Sequence, residues 1–151
     1  MKTNKIIFAS FILTFLITPL ITAQDLNVHY MIGEKQSAVT QKYGNPVHQD
    51  NSSPEMMCMF YQTKTSRLIF VANKEGVYQS EATASYDSET SARKDITDLI
   101  SGSLSKGFEV DSVSTSDFHL HKHGLRVDVR MTENKLSKKY EVSVKANKSE
   151  E

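Results

Sequence analysis

The sequence predicts an α+β domain in which an antiparallel β-sheet is covered on one face by two helices. One segment repeats apolar residues with helical spacing, and several others alternate apolar with polar residues, as half-buried strands do. Polar turns separate these segments. Residues 24–146 contain neither a long linker nor an evident sequence repeat, so we expect a single small domain there, followed by a flexible tail at 147–151.

Two segments predict helices. The first, at 34–43, ends at Gly44 with Pro46 two residues later, an order typical of helix ends. The second, at 88–106, begins at Ser88, a residue type that favours the N-cap. Its apolar residues recur with helical spacing and form one face: Ala92, Ile96, Leu99, Ile100 and Leu104.

Seven segments predict strands, each bounded by a polar turn or by a predicted helix. They are Met56–Gln62, 67–72, Val77–Tyr86, 108–114, Asp117–Lys122, 125–132 and 140–146. In the last two segments the alternation is strict, which predicts one dry and one wet side for the sheet. Ala82 and Ala84 lie on one side of the third segment, and such small residues leave room for a helix.

The first 23 residues have the layout of a secretory signal peptide. Lys2 and Lys5 form a cationic start, an apolar run of roughly 15 residues follows, and Ala23 precedes the expected cleavage point. A membrane anchor is the alternative, but a bilayer span needs about 20 apolar residues, and Pro19 interrupts this run. We therefore expect a periplasmic or secreted protein with no membrane span after cleavage.

Composition excludes several classes of function. The sequence has 18 Lys and Arg against 18 Asp and Glu, and loss of Lys2 and Lys5 with the signal peptide leaves a slight acidic excess. Nucleic-acid binding relies on clustered basic residues, so this balance argues against nucleic acid as a partner. The lone Cys58 excludes an internal disulfide framework and paired-cysteine metal or redox sites.

A set of glycines, aromatic residues and one proline carries a resemblance to a known family. These residues are Gly33, Val39, Tyr43-Gly44-Asn45-Pro46, Met59-Phe60-Tyr61, Leu68-Ile69-Phe70 and Gly76-Val77. With them, residues 32–86 resemble the family of outer-membrane-assembly lipoprotein E and the β-lactamase-inhibitor-protein-like proteins. In that family a helix opens after Gly, ends at Gly-x-Pro and leads into an antiparallel meander. The resemblance implies this fold and a habit of binding other proteins.

Two features depart from that family. No cysteine stands near the expected cleavage point, so the lipid anchor of the assembly protein has no counterpart here. The inhibitor consists of two similar helix-plus-sheet halves, whereas residues 87–146 contain no second Gly-x-Pro signature. The identity of the partner therefore does not carry over.

His119, His121 and His123 form the most distinctive motif. Alternate residues of a strand point the same way, which places three imidazoles in a row about 7 Å apart. Such a row can chelate zinc, copper or nickel, with Asp117 or Asp128 as a further ligand if the neighbouring strand places it there. The alternative, which we favour, is that these histidines simply occupy the wet side of the strand.

Met56-Met57-Cys58-Met59 contains soft ligands that suit Cu(I), but a buried strand with Met and Cys as core residues is the simpler interpretation. The sequence contains no GxSxG, HExxH or P-loop motif and no GxGxxG that opens a helix, and a thiol in an apolar run is inert. We therefore expect neither an enzyme nor a resident cofactor.

The sequence thus predicts a non-catalytic protein-binding module of the cell envelope. Its partner would be another envelope or secreted protein, bound by the exposed sheet face or by the loop at 43–53. A periplasmic zinc- or copper-binding protein is the alternative, and a small hydrolase with an unrecognised site is the least favoured.

Overall fold

The computed structural model describes residues 25–149. The predicted signal peptide, residues 1–23, lies outside this range, as do the last two residues of the chain. A 3₁₀ turn at Val28–Met31 precedes two helices, α1 (Gln36–Tyr43) and α2 (Glu89–Ser105). The strands are β1 (His48–Ser53), β2 (Met56–Gln62), β3 (Ser66–Ala72), β4 (Val77–Tyr86), β5 (Glu109–Ser114), β6 (Asp117–Lys122), β7 (Leu125–Asn134) and β8 (Lys139–Lys148).

All eight strands form one antiparallel sheet, in the order β1-β2-β3-β4-β8-β7-β6-β5. At a spacing of about 4.8 Å the sheet is roughly 34 Å wide, whereas an eight-residue helix such as α1 is only about 12 Å long. Helix α2 packs against β4, β8 and β5, and the 3₁₀ turn fills the space over β4 and β8. The prediction of an α+β domain with one sheet face covered by two helices is therefore wrong, since the strands dominate the fold.

The chain consists of two halves with the same order of elements. Each half is a helix followed by a four-stranded antiparallel meander, and the two meanders join where β4 pairs with β8. The first hairpin of each half has a shift in register, between Asp50 and Ser53 and between Ser112 and Ser114. The helices are followed by Gly44 and Gly107, both with positive φ. The duplication is therefore present in the backbone although the sequence shows no repeat.

The side of the sheet that faces the helices forms the core. Every second residue of the central strands is buried there, including Ala82 and Ala84 of β4, and their small side chains leave room for α2. An aromatic cluster closes the β2–β3 end, where the Phe70 ring centroid lies 5.1 Å from that of Tyr43 and 5.9 Å from that of Tyr61. The core is continuous across both halves.

Most predicted strands agree with the structure to within two residues, but β1 was missed. Its sequence, His-Gln-Asp-Asn-Ser-Ser, contains no apolar residue, and its side chains are almost all exposed. An edge strand of this kind is formed by backbone pairing with β2 and not by burial. At the other end of the chain, β8 runs to Lys148 and includes the first two residues of the predicted tail.

Candidate functional site

The side of the sheet opposite the helices, which we call the open face, holds the first candidate site. Strand alternation places on it the residues that lie between the buried ones, and these side chains are half-buried or exposed. The register aligns them in rows across the sheet, for example Phe60, Ile69, Glu81, Lys145, Asp128 and His119. The open face thus changes from apolar on β2 and β3 to charged on β4 to β8.

Five side chains make up the apolar strip of the open face: Met56, Cys58, Phe60, Ile69 and Val71. Phe60 lies opposite Ile69, and Cys58 lies opposite Val71, so four of them form a contiguous block on two neighbouring strands. Met56 is 53% exposed at one end, and the His48 ring lies 5.5 Å from the Phe60 ring at the edge. The strip is an apolar surface on an otherwise polar side of the molecule.

An ion-pair network covers the charged part of the open face. Lys145 lies 3.1 Å from Glu81, and Arg130 lies 2.9 Å from Asp117. Asp128 accepts a hydrogen bond of 2.6 Å from His119 and lies 3.4 Å from Arg126. Exposed pairs of this kind contribute little to stability, about 0–1 kcal/mol each, so they are available to exchange with the charges of a partner.

The structure brings together two of the three predicted metal ligands. His119 and His121 share the open face of β6, where His119 contacts Asp128 and His121 lies 3.1 Å from Glu109. His123 lies beyond the end of β6, in the turn that leads to β7. Within residues 25–149 no group of three or more His, Cys, Asp or Glu is placed to hold a metal ion. The zinc or copper site at His119, His121 and His123 stays a prediction.

The methionine- and cysteine-containing strand divides between the two sides of the sheet. Met59 is fully buried in the core, whereas Cys58 is half-buried on the open face. Burial raises the pKa of the Cys58 thiol, and the negative charge of Asp50 adds to this effect. The thiol is therefore protonated at neutral pH and belongs to the apolar strip.

The loop at 43–53, the other predicted binding element, comprises the last residue of α1, a turn and strand β1, and its first residue contacts the N-terminal segment. Tyr43 donates a hydrogen bond to Asp25, whose carboxylate also lies 3.0 Å from Lys42. Burial alone would raise the pKa of Asp25, but hydrogen bonds from Asn27, Lys42 and Tyr43 and the charge of Lys42 hold it below its usual value. The adjoining cavity has a volume of about 60 Å³, which is enough for several water molecules.

A second candidate site, which we call the basic groove, was not predicted. Its rim carries Lys106, Lys122, His123 and Lys148, and its floor contains His29, Tyr30, Phe108 and Leu125. The groove has a volume of about 450 Å³. Its residues come from the 3₁₀ turn, the end of α2, the β6–β7 turn and the end of β8, so no local pattern in the sequence marks them.

The fold and the open face define a sheet-dominated domain with two helix-plus-meander halves and an apolar strip on its uncovered side. No family model matches the chain, and no curated protein matches it. No helix within the described range is long and apolar enough to cross a membrane.

Two solved structures are similar in backbone arrangement. A cysteine-rich secretory protein from Staphylococcus aureus subsp. aureus Mu50 matches 80% of this chain and 45% of its own, with 12% identity and a TM-score of 0.44. An extracellular protein containing an SCP domain from Bacillus anthracis str. Ames matches 99% of this chain and 50% of its own, with 10% identity and a TM-score of 0.47. The chain thus spans about half the length of each protein.

Proposed function

We propose that this chain is an exported, non-catalytic module of the cell envelope that binds another protein through the apolar strip. The observation that carries the proposal is the contiguous block of Cys58, Phe60, Ile69 and Val71 on the open face. Export, to the periplasm or the medium, rests on the signal-like layout of residues 1–23. The partner is a folded envelope or secreted protein that presents apolar side chains bordered by charges of both signs.

The apolar strip and the ion-pair network have different roles in this proposal. Removal of apolar surface from water supplies binding free energy, about 25 cal/mol per Å², and aromatic anchors such as Phe60 dominate such interfaces. The charged rows next to the strip contribute orientation and rate of association. Because Lys145, Arg126 and Arg130 alternate with carboxylates, they select a partner of mixed charge over a polyanion.

The repeated helix-plus-meander architecture supports the resemblance from which protein binding was expected. The second half lacks the Gly-x-Pro signature, yet it contains α2 followed by a meander of four strands. The missing second Gly-x-Pro signature is therefore a difference in the sequence of a turn and not in the order of helices and strands. We propose on this basis that the chain shares their architecture, with its own partner.

The double variant Phe60→Ala/Ile69→Ala tests the proposal. Tagged mature chain is used to capture its partner from periplasmic and culture-medium fractions, and the affinity is then measured with the purified partner. We expect at least a tenfold loss of affinity, because both central side chains of the strip are removed. The matched control is Arg67→Ala/Thr83→Ala, a cross-strand pair elsewhere on the open face, and it should retain the wild-type affinity.

Three results would contradict this proposal. One is unchanged affinity in the Phe60→Ala/Ile69→Ala variant with its thermal unfolding intact. Another is the absence of any captured protein in either fraction at physiological salt. The third is self-association of the wild type through the strip, which analytical ultracentrifugation would detect as a dimer that the double variant does not form.

Metal binding remains a second candidate function, because His119 and His121 share the open face. Zinc or copper is then expected to raise the melting temperature, and free metal at 100 times its dissociation constant adds about 2.7 kcal/mol to the free energy of unfolding. His121→Ala should remove most of the rise, whereas His48→Ala on β1 should not. A melting temperature that neither ion changes would rule out this function.

A further inference from the structure

The basic groove combines an apolar floor with positive charges at its rim. Phe108 is 6% exposed, and its ring is nearly perpendicular to the His29 ring, with the two centroids 5.4 Å apart. Leu125 and Ile32 extend this surface. A volume of about 450 Å³ lies within the range of small-molecule sites, about 300–1,000 Å³.

The lysines of the groove are poorly compensated, unlike the cations of the open face. Lys106 Nζ lies 3.7 Å from the centroid of the Tyr30 ring, and Lys122 Nζ donates a hydrogen bond of 2.8 Å to the backbone carbonyl of Lys106. Lys148 lies 3.9 Å from Glu75. In the part of the chain that the structure describes, neither Lys106 nor Lys122 has a carboxylate within ion-pair distance. The rim therefore presents an excess of positive charge.

Two buried polar atoms of residues that line the groove have no hydrogen-bond partner among residues 25–149. They are Nδ1 of His29 and the hydroxyl of Tyr30. The hydroxyl of Ser103 donates to the Leu99 carbonyl, so its oxygen accepts the hydrogen bond from His29 Nε2 at 3.0 Å. Burial lowers the pKa of His29, so the ring is neutral at pH 7, and with the proton on Nε2 its Nδ1 carries a lone pair. A buried acceptor without a donor costs about 1–3 kcal/mol. Because both atoms are buried, a ligand in the groove contacts them only if the surrounding side chains move.

We propose that the basic groove binds a small organic anion with a flat apolar body. The acid group, a carboxylate or a phosphate, lies between Lys106, Lys122 and Lys148, and the body packs on Phe108 and Leu125. The lysines attract the acid group of the anion. Burial of its apolar body against the floor of the groove then supplies binding free energy. The groove is separate from the apolar strip, so the proposal does not depend on the function assigned to the open face.

Three probes of one shape test the proposal: 2-naphthoate, 2-naphthyl phosphate and the uncharged 2-naphthamide. Each is titrated into the isotopically labelled mature chain, and amide NMR shifts are followed to give a dissociation constant. We expect shifts at groove residues for at least one anion and at least tenfold weaker binding of the amide. Comparison of the two anions distinguishes a carboxylate site from a phosphate site.

Two variants and a matched control locate the binding. Lys106→Ala/Lys122→Ala should weaken binding of the preferred anion at least tenfold. Lys106→Gln/Lys148→Gln, which leaves the Lys122 side chain and its backbone acceptor in place, should do the same if the first variant folds poorly. The control Lys64→Ala/Lys135→Ala removes the same charge from two turns outside the groove and should bind like the wild type.

Several outcomes would overturn the proposal. These are no shift at the groove with either anion, equal binding of 2-naphthamide, or an equal loss in the Lys64→Ala/Lys135→Ala control. Shifts confined to the open face would also overturn it, since they would place the probe on the apolar strip. The Phe60→Ala/Ile69→Ala variant should bind the anion normally, so failure of this proposal and failure of the proposed function are distinguishable.

Discussion

Between pH 7 and pH 4, the free energy of unfolding is expected to fall by about 3 kcal/mol through the protonation of His29 alone. Burial, together with the nearby positive charge of Lys106, lowers the pKa of His29 to about 4. The side chain is 0% exposed. Asp25 acts in the opposite direction and Lys42 in the same direction as Lys106, both as smaller effects.

The direction of this pH effect follows from the pKa values of His29 in the folded and the unfolded chain. The folded state keeps His29 neutral down to about pH 4, whereas the unfolded chain takes up the proton near pH 6.5. Below pH 6.5 the unfolded state therefore binds more protons, and stability falls as the pH falls. The free energy of unfolding stops falling once the pH is below the folded-state pKa of His29, about 4. The contribution of Asp25, whose pKa is below its usual 3.8, is lost only under more acidic conditions.

Urea denaturation at several pH values measures this effect. The His29→Gln variant should lose most of the pH dependence between pH 6.5 and pH 4, whatever its absolute stability. His48→Gln, a change at an exposed histidine of β1, should keep the wild-type slope. If His29→Gln retained the full slope, His29 would not be the group that titrates.

Replacement of Phe70 by alanine is expected to lower the free energy of unfolding by about 3–5 kcal/mol. Phe70 is 0% exposed and lies on the core side of β3, where its ring contacts those of Tyr43 and Tyr61. The truncation removes apolar contacts between the sheet and α1 and leaves a cavity that the surrounding backbone cannot fill. Chemical denaturation at pH 7 measures the loss.

Phe60→Ala is the matched control for this prediction. Phe60 is also a phenylalanine of the β2–β3 region, but its ring lies half-buried on the open face against His48. Its loss is expected to cost about 1 kcal/mol, because less apolar surface is re-exposed and no enclosed cavity forms. Equal losses for the two variants would mean that the two sides of the sheet are wrongly assigned.

The sequence predicted well those helices and strands that bury one side, because burial gives them a periodic pattern of apolar residues. Alternation identified β7 and β8, and the helical spacing from Ala92 to Leu99 identified α2, because one side of each element faces the core. Strand β1 lacked this signal, since it buries no apolar side chain and pairs only through its backbone. A pattern of apolar residues predicts burial, and an edge strand can form without burying apolar side chains.

Strand alternation also predicted part of the candidate sites. Alternation correctly places His119 and His121 on one side of β6, but His123 falls in the turn, where Gly124 with φ 72° reverses the chain. The apolar strip required the cross-strand register, because Cys58 and Phe60 were expected on a buried strand. The basic groove required tertiary contacts between residues as distant as His29 and Lys148.

By itself, the sequence determined both helices and seven of the eight strands, because side-chain periodicity and polar turns report burial within each segment. It also determined the slight acidic excess of residues 24–151 and the absence of internal disulfides. Only the tertiary structure decided that the two meanders join through β4 and β8 into one eight-stranded sheet. Pairing of distant strands depends on backbone hydrogen bonds, which every residue type except proline can form, so no local pattern encodes it. The apolar strip and the basic groove arise from that pairing.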